Sequence, residues 1–182
     1  MKILKFILPL FITILILSGC SNVEVYKLNE KAVQLMNNGD VDGAIARLVS
    51  INDLNPNFPQ AYYNLGVAYD YKKEYQKSVD AFNCALTLKP KFAEAFYGLG
   101  VVYEKMAYEE IEKITEDDAV NEDPKKLQQK LNENQEVITD YLNKSIKAFE
   151  GYLDVEPTTK DRPVVESRLE NLNNQIKEYT IK

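Results

Sequence analysis

Apolar positions recur at helical spacing along most of the chain, and the pattern is clearest between Phe58 and Pro90. Tyr62, Leu65, Gly66 and Tyr69 form one set, Ser78, Phe82 and Ala85 a second, and Pro90 closes the segment. Gaps of three and four residues put each set on one side of a helix, so the stretch predicts two short helices joined by a turn. Tyr26 to Pro56 carries a weaker copy, with Leu28, Ala32 and Leu35 on the first helix and Ala44, Leu48 and Ile51 on the second. Asn37-Asn38-Gly39-Asp40 lies between them. Gly39 suits the left-handed conformation that ends a helix, and Asp40 suits the cap of the next. Asn55-Pro56 closes this copy, because proline cannot continue a helix.

A third copy opens with Ala95, Phe96, Leu99, Gly100 and Tyr103, but no Gly, Asn or Pro marks a turn near Ala107. The apolar positions run on through Met106, Ala107, Ile111 and Ile114. A second-helix signature returns only at Ser145, Phe149, Tyr152 and Pro157, and its face extends back through Leu142, Ile138, Leu131 and Leu127. Two arrangements fit. In one, the third hairpin has two long helices, about 93–115 and 125–155. In the other, Pro124 ends a degenerate repeat and Pro157 a fourth; the spacings of 34, 34 and 33 residues from Pro56 through Pro90 and Pro124 to Pro157 favour it. Unbroken periodicity and the absent turns favour the long hairpin, with about 107–140 as its extension. Its tip, Glu116 to Pro124, is acidic but lacks the ligand alternation of a calcium loop. Asp123-Pro124 fits better as a helix cap followed by proline at the first helical position. A last helix is predicted after Asp161, with Val165, Leu169, Leu172 and Ile176 in one stripe.

Phe58–Pro90 resembles a tetratricopeptide repeat, whose pattern is W-x2-L-G-x2-Y, then A-x3-F, then P. Tyr62 stands at the Trp position and Ser78 at the Ala position. The resemblance implies an all-α solenoid of helical hairpins, about three repeats, the third extended, with a C-terminal capping helix. It divides the chain into repeats at 26–57, 58–91 and 92–157, and a capping segment at 158–182. Such a unit cannot bury its apolar face alone, which is why neighbours of related pattern are expected.

The first residues stand outside that scheme. Lys2 and Lys5 precede a 12-residue, nearly unbroken apolar run from Phe6 to Leu17, short for a bilayer span and typical of a cleaved leader. Leu17-Ser18-Gly19-Cys20 resembles the lipobox of bacterial lipoproteins. The resemblance implies a signal peptide at 1–19, lipidation of Cys20, and a membrane anchor with a tether over 20–25. Ser21 resembles the outer-membrane sorting residue of diderm lipoproteins. The expected location is therefore the cell envelope, on the outer membrane's periplasmic face in a diderm or the cell membrane's outer face in a monoderm. An ordinary signal peptide with a chance cysteine is the alternative. Fully extended, the five residues from Ser21 to Val25 reach about 17 Å, which holds the domain near the membrane surface.

Charge and composition narrow the chemistry. Without residues 1–19 the chain has 20 basic and 28 acidic side chains. That balance disfavours nucleic acid, which draws on clustered Lys and Arg, and leaves membrane attachment to the acyl chains. Histidine and tryptophan are absent, which removes the commonest general base and the Ser-His and Cys-His nucleophiles. Cys84, the only cysteine beyond Cys20, has no histidine to activate it and is expected to be an inert thiol. No phosphate-binding glycine motif is present, and no carboxylate pair stands out for hydrolysis. No enzyme activity, cofactor or metal is expected.

What the repeat resemblance implies instead is a concave peptide-binding groove lined by the first helix of each pair. Its residues are Gln60, Tyr63, Asn64, Val67, Asp70 and Tyr71 in the second repeat, and Glu94, Tyr97, Val101 and Glu104 in the third. In family members that grip acidic C-terminal tails, Lys, Arg and Asn line this groove. The corresponding positions here are Tyr63, Asn64, Val67, Glu94 and Gly98, of which only Asn64 conforms. The implied partner is a protein or peptide segment of neutral to basic character. Three alternatives stay open: the tyrosines pack inside the array, the projecting hairpin serves an envelope assembly, or the protein is an envelope hydrolase, for which no carboxylate pair can be named.

Overall fold

The computed structural model describes residues 23–116 and 123–180, all of it helix and connecting turn. The lipobox and most of the acidic tip lie outside the described residues. Among the described residues seven helices follow one another: α1 over 23–37, α2 Val41–Leu54, α3 Pro59–Tyr71, α4 Tyr75–Leu88, α5 Ala93–Thr115, α6 Pro124–Val155 and α7 Arg162–Thr180. Successive helices pair as hairpins, α1 with α2 through a shared core, α3 with α4 and α5 with α6, and α7 packs on α6. Among the described residues, no helix is long and apolar enough to cross a membrane.

The predicted boundaries are set by local chemistry. Gly39 has φ 84°, and Asp40 accepts from the Gly43 amide at 2.9 Å. The amide of Asp40 reaches the Leu35 carbonyl at 2.9 Å, the long hydrogen bond that closes a helix end. One repeat later the same turn is made without glycine. Lys73 has φ 58°, its amide bonds the Asp70 carbonyl, and the Glu74 amide bonds the Tyr69 carbonyl, both at 2.9 Å. Asp123 caps α6 through the Lys125 amide at 2.9 Å, with Pro124 at the first helical position. The start of α1 differs from the sequence expectation: residues 23–25 are helical and Val25 is 3% exposed. A helix rises about 1.5 Å per residue, so this part of the tether spans less than half its extended reach.

The position 34 residues beyond Lys73 is Ala107, and there the chain does not turn. Ala107 is fully buried in the middle of α5. The third hairpin therefore consists of a 23-residue and a 32-residue helix. Ala107 and Ile114 of α5 share a core with Ile138 and Leu142 of α6, flanked by Ile111, Leu127 and Leu131. Apolar faces that match along their whole length bury more surface by running straight than by stopping for a turn. With 10 residues more than the 13-residue α3, α5 projects about 15 Å beyond the second repeat.

Three clusters of buried residues follow one another along the stack. The first joins α1, α2 and α3 around Leu48, Ile51 and Leu65; the second joins α3, α4 and α5 around Phe82, Phe92 and Val102. The third joins α5, α6 and α7 around Phe149, Leu142 and Leu172. Of the predicted stripe on α7, Val165 and Leu172 are buried, and Leu169 and Ile176 pack against the same cluster. This helix covers the apolar side of α6 that would otherwise meet water.

Candidate binding groove

The first helices of the three hairpins and α7 are tied to one another by side-chain hydrogen bonds. Asn64 of α3 donates to Asn29 of α1 at 2.8 Å, and Lys105 of α5 donates to both oxygens of Asp70 of α3 at 2.8 Å. Arg168 of α7 pairs with Glu104 of α5 at 3.2 Å and donates to the Tyr97 hydroxyl at 3.3 Å. Gln175 donates to the Tyr108 hydroxyl at 2.8 Å. These bonds satisfy polar groups that stacking would otherwise strand.

Three predicted groove residues have their polar groups taken up in this way, and Tyr97 is a fourth that also lines a cavity. Asn64 is 5% exposed and its side chain is directed to α1. Asp70 is held by Lys105. Glu104 has a side chain only 12% exposed, and burial raises its carboxyl above the usual range while the Arg168 guanidinium pulls it part of the way back. Val67 and Val101 are half-buried against neighbouring cores. Gln60 lies apart from the others, in a cavity with Tyr26, Phe58 and Lys89. Tyr71 is exposed.

The remaining three, Tyr63, Glu94 and Tyr97, come together. They line one cavity of about 200 Å³, completed by Tyr152 from the end of α6 and Asp161 from the turn before α7. Tyr63 is half-buried, its ring 5.2 Å from Phe92 and 5.8 Å from Phe82. Burial, and secondarily the charge of Glu94, raises its hydroxyl above the ordinary phenol value. The Tyr97 ring meets Tyr152 edge to face at 5.5 Å and Phe149 at 5.5 Å. The Tyr152 hydroxyl is held by the Thr159 hydroxyl at 2.9 Å and the Asp161 carboxylate at 3.5 Å. Tyr63 and Tyr97 of the expected groove thus pack partly inside the array, as the alternative reading had it, while still facing a cavity; Tyr71 does not. Sequence reasoning missed Tyr152 and Asp161 because their spacing assigned the first to a helix-packing signature and the second to the boundary before the last helix. Cys84 is an exposed free thiol.

Residues 59–92 match the tetratricopeptide repeat family. Among curated proteins, no sequence matches the chain. Solved structures share the fold at low identity. The first tetratricopeptide domain of Spaghetti (RPAP3), bound to the HSP90 peptide SRMEEVD, superposes with a TM-score of 0.59 at 17% identity, over 84% of this chain and 93% of that one. The Sgt2 tetratricopeptide domain from Aspergillus fumigatus gives 0.59 at 16%, over 85% and 80%. MamA gives 0.56 at 22%, over 85% and 73%. The protein is an all-α tetratricopeptide-type solenoid of three helical hairpins, the third extended, closed by a C-terminal helix.

Proposed function

We propose that this protein is a non-catalytic binding scaffold of the bacterial cell envelope, anchored through lipidated Cys20, that holds a peptide or partner helix on the concave side of its repeats. The observation that carries the reading is the convergence of Tyr63, Glu94 and Tyr97 on one cavity, with exposed Tyr71 on the same helix as Tyr63. Tyrosine combines apolar area with a hydroxyl, a pairing enriched at contact surfaces. The RPAP3 domain binds an acidic peptide. With Glu94 and Asp161 at its cavity, this chain is suited instead to a neutral or basic segment. The anchor follows from the leader and the Leu17–Cys20 box, as read from the sequence.

A photo-reactive residue installed at position 71 or 94 of the full-length chain tests the groove in living cells. Position 137 tests the second reading, an assembly factor that works through the projecting hairpin. A specific observation favours keeping that reading: exposed Val137 borders a shallow cavity with Tyr103, Tyr141 and Lys144 at the base of the long helices. Cross-links to one envelope protein from 71 and 94 are expected, and those from 71 should be lost when Glu94→Lys is added. Adducts from 137 alone overturn the groove. Cys20→Ser should release the protein from the membrane fraction; retention there would refute the lipid anchor.

A further inference from the structure

We infer that the cavity bounded by Tyr63, Glu94, Tyr97, Tyr152 and Asp161 is a socket for one cationic side chain, a lysine or arginine presented by an extended partner peptide. This rests on the concave-face reading above and makes it specific. At about 200 Å³ the space is smaller than the ~300–1,000 Å³ of sites that take whole small molecules, and it suits a single side chain.

Its walls decide the charge of the occupant. Three aromatic rings line it, and a ring face attracts a cation held within about 6 Å. Two carboxylates stand at the cavity, and among the described residues no salt bridge engages either Glu94 or Asp161. No basic side chain belongs to the lining. Arg168 touches the Tyr97 hydroxyl but is paired with Glu104 and stacked over the Phe149 ring, and Arg162, next to Asp161 in sequence, is committed to the Pro157 carbonyl and Glu166. An anion entering here would meet two negative charges and no donor except phenol hydroxyls. A hard metal ion would find two carboxylates where calcium takes about 6–8 oxygen ligands. Among the described residues no cluster of three or more His, Cys, Asp or Glu is placed to hold a metal. A guanidinium or ammonium on an alkyl stem matches both parts of the lining, its stem against the rings and its head toward the acids.

The test uses the full-length chain in detergent and four end-blocked peptides, Ala-Ser-Ala-X-Ala-Ser-Ala, with X lysine, arginine, norleucine or glutamate. Aromatic carbon NMR signals of Tyr63, Tyr97 and Tyr152 report occupancy. The lysine or arginine peptide should bind about 10-fold tighter than norleucine and weaken as salt rises. Binding should also fall several-fold with Glu94→Gln or Asp161→Asn. Both acids are exposed, and asparagine at 161 keeps an oxygen to accept from the Tyr152 hydroxyl, so both changes remove charge while sparing the core. Equal affinity of lysine and norleucine peptides overturns the cation socket and leaves the groove standing. A lysine peptide that binds without moving any of the three tyrosine signals overturns the cavity as the site. Failure of all four peptides to bind sinks both readings.

Discussion

Ser145 donates its hydroxyl to the carbonyl of Gly100 at 2.8 Å, and one repeat earlier Ser78 makes the same bond to Gly66 at 2.7 Å. All four residues are buried apart from these contacts. The family pattern has alanine where these serines stand, so shape alone does not require a hydroxyl. Each bond gives an otherwise stranded hydroxyl a partner on the facing helix. Ser145→Ala and Ser78→Ala should each cost about 0.5–1.5 kcal/mol in urea unfolding, with no change in helicity. The two pairs share no partner, so the double variant should lose the sum of the two.

The same glycines admit aromatic rings. A Cβ added at Gly66 would lie 2.6 Å from Cε1 of Phe82, and one at Gly100 2.8 Å from Cε1 of Phe149. Alanine is favoured over glycine within a helix by about 1 kcal/mol, whereas overpacking a core costs about 1–3. The Phe82 ring cannot retreat toward α5, since a Cβ at Gly98 would lie 2.6 Å from its Cζ. The clash wins. Gly66→Ala should lower the melting temperature, and a rise would show that the ring relocates freely.

Lys73 holds a left-handed backbone that glycine holds in the equivalent turn at Gly39. The Cβ cost of that conformation is about 1–2 kcal/mol, offset in part by the greater chain entropy of glycine. Lys73→Gly should therefore stabilise the protein by about 0.5–1 kcal/mol in chemical denaturation.

Leu172 is fully buried between α7 and the third hairpin. Leu172→Ala should cost about 2–5 kcal/mol. If α7 caps the array, amide exchange should accelerate along α6 as well as α7. Exchange confined to α7 would mean that the helix is an appendage.

Glu104 supplies the pH dependence. Burial raises its carboxyl in the folded chain more than Arg168 lowers it. The folded state then holds that proton more tightly than the unfolded state does. This single group favours folding below the carboxylate range and costs stability as pH rises through its raised value. Glu104→Gln should melt higher than wild type near neutral pH, and the gap should narrow on acidification through the carboxylate range. A variant that melts lower at neutral pH would show that the Arg168 pairing outweighs burial.

The hairpin register, the caps at Asp40 and Asp123 and the long third hairpin were all legible, because they depend on neighbours three or four residues apart. The groove was only partly so. Tyr63, Glu94 and Tyr97 converge, yet Asn64 and Asp70 find partners 35 residues away, at Asn29 and Lys105. Periodicity identifies the face a residue shares, but not which polar group the next repeat sets opposite it. Tyr152 and Asp161 were hidden for the same reason, since α6 and the turn before α7 return to the cavity only after the chain has doubled back.

By itself, then, the order of residues determined which faces are apolar, where the first two hairpins turn, and that the chain stacks as repeats. Tertiary structure decided what those repeats leave open. Stacking brought Arg168 to Glu104 and Lys105 to Asp70, closing those acids off, and left Glu94 and Asp161 beside three tyrosines. Local preferences act within one helix. The surviving charge at a surface depends on which helices meet.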